Sequence, residues 1–368
     1  MSAPRLEIDL DKIEHNTRTL VQRLSERGIS VTGITKSTLG SPEIAGAMLR
    51  GGVTGLGDSR IENIEKMRYA RIAASMTLIR SPMPSQVDRV AMHADVSFNT
   101  ETDVIVKLSA AAEKAGRIHG IVLMVELGDL REGIMPDDME SVVRKTLELP
   151  CINIRGIGTN LACRSGASPD NSNMSQLSAL ADSLESAFGL RFDIVSGGNS
   201  ANLDWAHDNP EPGRINDLRL GESLLLGLET LNREPIGGLY TDAILLVAEV
   251  IESKNKPSQP WGKIAQNAFG EQTDFTDQGN ISQAILAIGR QDIDPQGISP
   301  PPGINVIGAS SDHLIVQCDS NDLVVGAEIV FQINYSALTR AMTSPFVAKV
   351  MKRQSDFAIA RDSVPCVG

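Results

Sequence analysis

Lys36 ends a short apolar run, residues 31–36, where its amine would have the chemistry of a nucleophile. Its stem would leave a core at that point, so the amine would be partly removed from water. Removal from water lowers the pKa of an ammonium group, and an amine with a lowered pKa can form a Schiff base with a carbonyl compound. The alternative is a lysine whose stem packs at a strand end while its charge reaches solvent.

A glycine-rich turn, Gly197-Gly198-Asn199-Ser200, is a candidate anion site. Its glycines leave backbone N–H groups unhindered, and Ser200 adds a hydroxyl at the start of a helical segment. Gly221-Glu222 supplies a second turn after the next strand candidate. Barrels of eight βα units often bind phosphate with the loops after strands seven and eight. These positions predict a phosphate site, although glycines also serve ordinary tight turns.

Two arginines, Arg131 and Arg219, end strand candidates at the same mouth. Their guanidinium groups could clamp a carboxylate or face a ring nitrogen. The alternative for each is a structural salt bridge with Glu126, Glu132 or Glu222. A lysine, an anion site and two arginines together predict a phosphorylated carbonyl cofactor, pyridoxal phosphate, with an amino acid as substrate.

The elements that must position these residues alternate between short β-like runs and helix-like segments, which is typical of βα units around a parallel sheet. Eight strand candidates occur, the number that closes a barrel: 31–36, 55–58, 76–80, 95–99, 120–127, 154–161, 192–198 and 218–221. Ser41-Pro42-Glu43 predicts a helix cap followed by a first-turn proline, and Ser59-Arg60-Ile61-Glu62 predicts a capping box. Active sites of such barrels lie at the carboxyl ends of the strands.

After about Pro235 the pattern changes to β-branched runs, at 244–251, 283–288, 305–318 and 324–333, which predict a mostly β second domain. We therefore expect residues 11–235 to form the barrel and residues 236–351 to form the β domain. Residues 1–10 contain a strand that could pair with the β domain. The polar tail, 352–368, is a candidate for disorder.

Composition excludes several classes of protein. The 368 residues carry a net charge of −12, which repels nucleic acid and anionic lipid, and no basic cluster offsets it. The four cysteines form no C-x-x-C pair, so neither a disulfide framework nor a metal site is expected. The first residues lack the pattern of a leader, and no apolar run approaches a membrane span. These features predict a cytoplasmic protein with a small-molecule substrate.

The sequence resembles the alanine racemase superfamily of pyridoxal-phosphate enzymes (fold type III), most closely its alanine/ornithine racemase-like branch. The match runs from Pro4 to about Val350, and its ordered segments are together more specific than any one motif. They are PRLEIDLDKIEHN, VTGITK, GLGDSRIENIEKM, LIRSPM, ELGDLREGI, GIGTNLAC, SGGNSANL, LRLGESLLLG, AIGRQDIDP, GASSDHLIV and NYSALTRAMTSPFV.

The resemblance implies an α/β fold, a (β/α)8 TIM-like barrel with a C-terminal mostly-β domain. It implies a head-to-tail homodimer in which each site is completed by the partner's β domain. By resemblance, Lys36 would hold the cofactor aldehyde and act as acid or base on one face of the substrate. Arg131 would bind the substrate carboxylate, and Arg219 would face the pyridine nitrogen.

The resemblance also implies a cofactor pocket, with three departures from alanine racemase. Ser200 and the backbone of Gly221 and Glu222 would hold the phosphate. Asn160 replaces a histidine near the cofactor ring. Met124 replaces a lysine that is carbamylated in some relatives. The tyrosine that follows the lysine motif in the superfamily is missing from this chain.

The base on the opposite face is not carried over, because Arg290 occupies the position of the tyrosine that alanine racemase uses. His313 and Asp312 are the first candidates to replace it, with Asp292 and Tyr335 behind them. Histidine titrates in the range that racemisation needs. The alternative for His313 is a strand residue with a satisfied hydrogen bond.

The favoured function is racemisation of a free amino acid, such as ornithine or lysine, or alanine. Glu222, Asp292 and Asp294 could meet a substrate ammonium group, and surface solvation is the alternative for them. A second hypothesis is a non-catalytic carrier of pyridoxal phosphate, which the additional domain disfavours. A third is a pyridoxal-phosphate aldolase of β-hydroxy amino acids, which would need a metal site that the sequence does not indicate.

Overall fold

The computed structural model describes residues 2–272, 275–319 and 323–353. Most of the predicted tail, residues 354–368, and with it Cys366, lies outside the described residues. The chain divides into two compact units. One is Leu10–Thr241, and the other combines the segment that ends at Asp9 with the chain from Asp242 onward.

The first unit contains a closed barrel of eight parallel strands, which confirms the predicted fold class. The barrel strands are β2 (Ser30–Ile34), β3 (Gly55–Asp58), β4 (Met76–Leu78), β5 (Val96–Asn99), β6 (His119–Met124), β7 (Ile152–Gly158), β8 (Ile194–Gly198) and β9 (Asp217–Leu220). Every one overlaps a strand predicted from the sequence. Alternate residues of β5 and β6 form a buried apolar cluster, Val96, Phe98, Val122 and Met124.

Helix α1 (Leu10–Ser25) precedes the first barrel strand. The helices that follow the barrel strands are α2 (Pro42–Arg50), α3 (Ile61–Tyr69), α4 (Val87–His93), α5 (Thr102–Lys114), α6 (Met139–Leu147), α7 (Asn171–Phe188), α8 (Leu203–Asp208) and α9 (Glu222–Leu226). Turns of 3₁₀ helix occur at Lys36–Thr38, Pro84–Gln86, Pro136–Asp138 and Ser200–Asn202. The predicted cap is confirmed, since the Ser41 hydroxyl accepts from the Ile44 N–H at the start of α2. The predicted capping box at Ser59 is wrong, because α3 begins after Arg60 without a side-chain cap.

The second unit is built on one eight-stranded sheet. Its strands are β1 (Arg5–Asp9), β10 (Ile244–Pro257), β11 (Asn280–Leu286), β12 (Ile298–Ser299), β13 (Ile304–Ala309), β14 (Leu314–Cys318), β15 (Glu328–Ile333) and β16 (Ala348–Lys352). The central path runs β12-β15-β10-β11-β14-β13, and β1 pairs antiparallel with β10 and parallel with β16. A 3₁₀ turn at Pro295–Gly297 and one helix, α10 (Tyr335–Thr343), complete the described part of this unit.

Two features of the second unit differ from the sequence prediction. The single run predicted at 305–318 is a hairpin, because a four-residue turn separates β13 from β14. Helix α10 was not predicted; Asn334 caps it by accepting from the Ala337 N–H. In the described part of the chain, none of the helices has both the length and the apolar character needed to cross a membrane.

Candidate active site

A cavity of about 200 Å³ lies in the barrel unit and collects the predicted cationic residues. Lys36, Arg131, Asn160 and Arg219 line it, and each comes from the end or the following loop of a different barrel strand. Met124 and Glu132 also face the cavity. A larger cavity of about 460 Å³ lies beside α1 and α8 and contains none of the predicted site residues. The chemistry therefore concentrates in the smaller cavity.

Lys36 follows β2 and begins a turn of 3₁₀ helix. Burial lowers the pKa of its amine, and the charges of Arg131 and Arg219 lower it further, while the charge of Asp58 opposes them. Within the described residues, the Lys36 amine makes no hydrogen bond. An amine whose charged form is disfavoured and that has no hydrogen-bond partner is suited to nucleophilic attack.

Asp58, at the end of β3, is a buried carboxylate that sequence reasoning did not single out. It accepts hydrogen bonds from the Thr35 hydroxyl at 2.7 Å and from the Asn63 amide at 3.0 Å. It also accepts from the Arg60 N–H at 2.9 Å, so this side chain organises the start of α3. Burial raises the pKa of Asp58 against these hydrogen bonds. The residue just before Lys36 is thereby tied to the neighbouring strand.

Arg131 lies on a loop after β6 that is organised by Glu126. The Glu126 carboxylate accepts from the N–H groups of Gly128 at 2.6 Å, Leu130 at 3.0 Å and Arg131 at 3.2 Å. The Arg131 guanidinium lies 3.3 Å from the Glu132 carboxylate. A salt bridge with Glu132 is one alternative role that the sequence allows for Arg131, and the structure contains that salt bridge. Glu126 instead acts on the backbone and places Arg131 at the cavity.

The same loop is joined to the loop after β7 by Asp129. Its buried carboxylate accepts from the N–H groups of Cys163, Arg164 and Ser165 and from the Ser165 hydroxyl, at 3.0 to 3.3 Å. Burial alone would raise the pKa of Asp129, but these hydrogen bonds lower it overall. Two loops of the cavity mouth are thereby held together by one ionised side chain.

Arg219 projects from β9 and is only 5% exposed. Both terminal nitrogens of its guanidinium group, Nη1 and Nη2, have hydrogen-bond partners. Nη1 donates to the Ser196 hydroxyl at 2.6 Å, and Nη2 donates to the Thr159 carbonyl at 2.7 Å and to Asn160 Oδ1 at 3.3 Å. The guanidinium carbon lies 5.0 Å from the centre of the Phe98 ring. Burial lowers the pKa of Arg219 to about 10. The salt bridge considered with Glu222 is absent, since Glu222 pairs with Arg233.

Asn160 also lines the cavity, where its side chain contacts Arg219. Its side-chain oxygen accepts from Arg219 and, at 3.1 Å, from Asn199. Its amide nitrogen, Nδ2, is buried and has no partner among the described residues. A buried donor without a partner is uncommon in a folded protein and is explained when a bound ligand accepts its hydrogen bond.

The predicted phosphate turns meet through two serines. Ser200 Oγ lies 3.0 Å from Ser223 Oγ and accepts from the Ser223 N–H at 3.4 Å, and both serines are buried. Gly221 lies beside the end of β2, where an added Cβ would come within 3.2 Å of the Ile34 side chain. The turn after β9 is therefore packed against the strand that leads to Lys36. Sequence reasoning missed Ser223, although its position two residues after Gly221 was visible.

His313 and Asp312 lie in the other unit, on the turn between β13 and β14. His313 Nδ1 is 2.8 Å from Asp312 Oδ1; Asp312 is exposed and His313 is half-buried. The hydrogen bond from His313 lowers the pKa of Asp312. Arg290, at the position of the tyrosine in alanine racemase, pairs with Glu271 at 2.9 Å and packs 4.4 Å from the Phe269 ring centre.

The other candidates of this unit already have partners. The Ser344 hydroxyl donates to Asp292 at 2.5 Å, and the Ser336 hydroxyl donates to Asp294 at 2.5 Å. Tyr335 is the first residue of α10.

Comparisons with known proteins agree with this architecture. The family model for the alanine racemase N-terminal domain matches residues 8–228. A lysine racemase of Thermotoga maritima is 40% identical over 353 residues, which cover 95% of this chain and 99% of that protein. An ornithine racemase of Acetoanaerobium sticklandii is 38% identical over 351 residues, 94% of this chain and 99% of that protein. An alanine racemase of Clostridium difficile 630 matches in fold with a TM-score of 0.74 at 20% identity, over 96% of this chain and 97% of that one.

Proposed function

The chain belongs to the alanine racemase family and is an amino-acid racemase, and from this premise we propose that it interconverts the L- and D-enantiomers of a free basic amino acid, such as ornithine or lysine. We propose further that it does so with pyridoxal 5′-phosphate held on Lys36. The observation that carries the proposal is the single cavity that joins Lys36 to Arg131 and Arg219. The names of two relatives similar along almost the whole chain support a basic substrate.

The residues present suit the cofactor. Lys36 supplies an amine for the aldehyde, and Arg219 is held in place to face the ring nitrogen. The unpartnered Asn160 amide offers a donor to a ring substituent. Ser200 and the backbone at Gly221 offer donors to a phosphate. When bound, pyridoxal phosphate supplies an electron sink that acidifies the substrate α-carbon.

The other roles in the reaction, which are substrate binding and proton transfer, are assigned to side chains of the cavity. Arg131 receives the substrate α-carboxylate, which a guanidinium can bind through two hydrogen bonds. The lowered pKa of Lys36 favours its neutral amine, so it accepts the α-proton on one face and returns a proton there in the reverse direction. Glu132 is the one carboxylate among the described residues that line the cavity, and it suits the ammonium group of a basic substrate.

For the opposite face, we propose a homodimer in which His313 of the partner subunit, assisted by Asp312 of the partner subunit, exchanges the second proton. Among the described residues that line the cavity there is no histidine and no tyrosine, so this group must come from elsewhere. The 2.8 Å contact between His313 Nδ1 and the Asp312 carboxylate supports the assignment, because a carboxylate at one ring nitrogen orients the imidazole so that the other nitrogen can exchange a proton. A cytoplasmic location remains a prediction from the sequence.

Exchange in deuterium oxide tests the substrate and the lysine together. We expect the protein to place deuterium on the α-carbon of ornithine or lysine and to place much less on alanine. Lys36→Ala should abolish exchange, whereas Lys107→Ala, on an exposed position of α5, should leave it unchanged. Borohydride reduction should fix the cofactor mass on the peptide that contains Lys36. Exchange on none of the amino acids, or a protein that binds no pyridoxal phosphate, would refute the proposed function.

Mixing two inactive variants tests the composite site. Lys36→Ala and His313→Gln chains, unfolded together and refolded, should recover about a quarter of the wild-type activity, because about half of the dimers are mixed and each mixed dimer holds one complete site. Light scattering should report a dimer throughout. A His313→Gln variant that is fully active alone, or a mixture that stays inactive, would reject His313 as the second group.

A further inference from the structure

A buried carboxyl side chain lies close to Arg219 on the same strand. Asp217 starts β9, is 7% exposed, and accepts hydrogen bonds from the hydroxyls of Ser196 and Thr32, the latter at 2.7 Å. The Ser196 hydroxyl in turn accepts from Arg219 Nη1 at 2.6 Å. One hydroxyl therefore connects a buried guanidinium to a buried carboxylate.

The backbone accounts for this arrangement. Residues two apart on a strand face the same side, so Asp217 points to the same side as Arg219. In the pairing of β8 with β9, Ser196 lies opposite Asp217 and Gly198 lies opposite Leu218. The extra residue between them, Gly197, is a β-bulge, a feature that often redirects a side chain beside a functional site. The bulge leaves Ser196 between the two charged groups.

Burial and the neighbouring charges act in opposite directions on the pKa of each group. Burial lowers the pKa of Arg219 to about 10, and the negative charge of Asp217 is the largest opposing contribution. Burial raises the pKa of Asp217, and the hydrogen bond from Ser196 and the charge of Arg219 oppose that rise. The other hydrogen-bond acceptors around Arg219, Thr159 O and Asn160 Oδ1, are neutral. Among the described residues, no carboxylate is hydrogen-bonded directly to this guanidinium, so its counter-charge acts through Ser196.

Asp217 also lines a separate polar cavity of about 290 Å³, together with Thr32, Thr77 and Asn216. This cavity includes residues at the amino ends of barrel strands, whereas Arg219 lines the cavity at the carboxyl ends. Polar surroundings reduce the cost of keeping a carboxylate charged inside a barrel. The anion is accommodated on one side of Ser196, and the cation is presented on the other.

We propose that Asp217 is a positioning residue for the racemisation, which acts through Ser196 to hold Arg219 in the orientation that faces the cofactor ring. The inference rests on the proposed function, because it assumes that Arg219 meets pyridoxal phosphate. It assigns to Asp217 and Ser196 a role in the reaction that does not require either residue to contact the substrate or the cofactor.

Two hydroxyl deletions provide a matched test. Ser196→Ala and Thr32→Val each remove one hydrogen bond to Asp217, but of the two hydroxyls only that of Ser196 is also hydrogen-bonded to the Arg219 guanidinium. We expect Ser196→Ala and Asp217→Asn to weaken equilibrium binding of pyridoxal phosphate to the apoprotein and to lower kcat, each by about 10- to 100-fold, the scale of a lost hydrogen bond to a charged group. KM should stay near the wild-type value, because Arg131 is untouched. The visible absorption maximum of the bound cofactor should shift in the same two variants.

Thr32→Val should leave cofactor affinity, kcat and the absorption maximum close to wild type, and Ser196→Thr, which keeps the hydroxyl, should restore them. Circular dichroism melting establishes that each variant is folded. If Ser196→Ala does not fold, Ser196→Cys weakens the same hydrogen bond at nearly the same volume. Equal effects of Thr32→Val and Ser196→Ala, or no effect of Ser196→Ala and Asp217→Asn, would overturn the inference. Wild-type protein that binds no pyridoxal phosphate would instead refute the proposed function.

Discussion

Two cations of the cavity, the half-buried Lys36 and the buried Arg219, are held in opposite ways. Arg219 donates hydrogen bonds to Ser196, Thr159 and Asn160 and packs against an aromatic ring. Lys36 lies in the same cavity, yet within the described residues its amine has no hydrogen-bond partner. Burial lowers the pKa of both groups, but only for Arg219 does a network compensate for it.

Under the proposed function, this difference corresponds to a group that reacts, Lys36, and a group that orients, Arg219. A nucleophile must give up its proton and move, so a satisfied hydrogen-bond network would oppose its chemistry. A group that faces a cofactor must stay charged and fixed, and a network supplies both properties. The comparison leads to predictions that differ in sign as well as in size between the two positions.

The largest expected effect is on activity at the reactive position. Lys36→Arg keeps a positive charge, but a guanidinium does not lose its proton in proteins, so it can neither form the Schiff base nor exchange the α-proton. We expect kcat/KM to fall by about ten-thousandfold, the upper range for loss of an acid–base group. Racemisation assays by chiral chromatography measure this. Activity within tenfold of wild type would show that Lys36 is not the reacting amine.

The next largest effect is on stability at the orienting position. Arg219→Met leaves the buried Asp217, Ser196 and Asn160 without a cationic partner, so the free energy of unfolding of the apoprotein should fall by about 3 kcal/mol. Urea unfolding followed by circular dichroism measures it. The control is Arg60→Met, where the side chain makes no cap hydrogen bond and little change is expected. An unchanged midpoint for Arg219→Met would show that the network does not stabilise the fold.

The sequence predicted the barrel and the cationic side of the cavity for one physical reason. Parallel strands in a barrel bring their carboxyl ends to one rim, so a polar residue after an apolar run is placed there without knowledge of packing. Lys36, Arg131 and Arg219 were all found in this way. Their meeting in one cavity follows from strand order alone.

The supporting residues could not be found in that way, because they depend on register. Ser196 lies opposite Asp217 through the register of β8 against β9, which no local pattern indicates. The two-residue spacing of Asp217 and Arg219 did indicate that their side chains lie on the same face, since residues two apart share a face of a strand. Asp58, rather than the predicted Ser59, organises α3 because its carboxylate reaches two donors at once.

The second unit shows the limits of pattern reading more clearly. The turn between β13 and β14 contains neither glycine nor proline and is held by side chains, as where the Ser310 hydroxyl accepts from the His313 N–H at 3.1 Å. A continuous strand was therefore the natural prediction. Helix α10 carried a usable signal, a capping Asn334 before buried Leu338 and Met342, which the β-rich surroundings concealed.

His119 is a buried titratable group outside the cavity, and its surroundings can be compared with those of Lys36 and Arg219. One ring nitrogen, Nε2, lies 2.8 Å from the Ser97 hydroxyl, and the other, Nδ1, is buried with no partner among the described residues. Burial lowers the pKa of His119 to about 4. It therefore resembles Lys36, since its charged form is not compensated.

Protonation of His119 consequently favours the unfolded chain, whose histidine has a pKa of about 6.5. Its contribution to stability is complete above that value and is lost as the pH falls toward 4. Between pH 7 and pH 5 the loss should be about 2 kcal/mol. The measurement is urea unfolding of wild type and His119→Gln at both pH values, since carboxyl groups titrate equally in the two proteins. Identical pH dependence in both would contradict the neutral, uncompensated histidine.

The smallest effect has the opposite sign and tests the comparison most directly. Lys36→Met removes a buried charge that has no hydrogen-bond partner, so the apoprotein should gain about 1 kcal/mol in free energy of unfolding while losing activity. Because burial lowers the pKa of Lys36, the gain should be greatest where the folded lysine is still charged, and it should vanish as the pH rises toward about 10.4, the value for an unfolded lysine. Lys107→Met, on the exposed face of α5, should change stability little at any pH. A loss of stability as large as that of Arg219→Met would mean that Lys36 is held as firmly as its neighbour, and the division into a reacting and an orienting cation would be wrong.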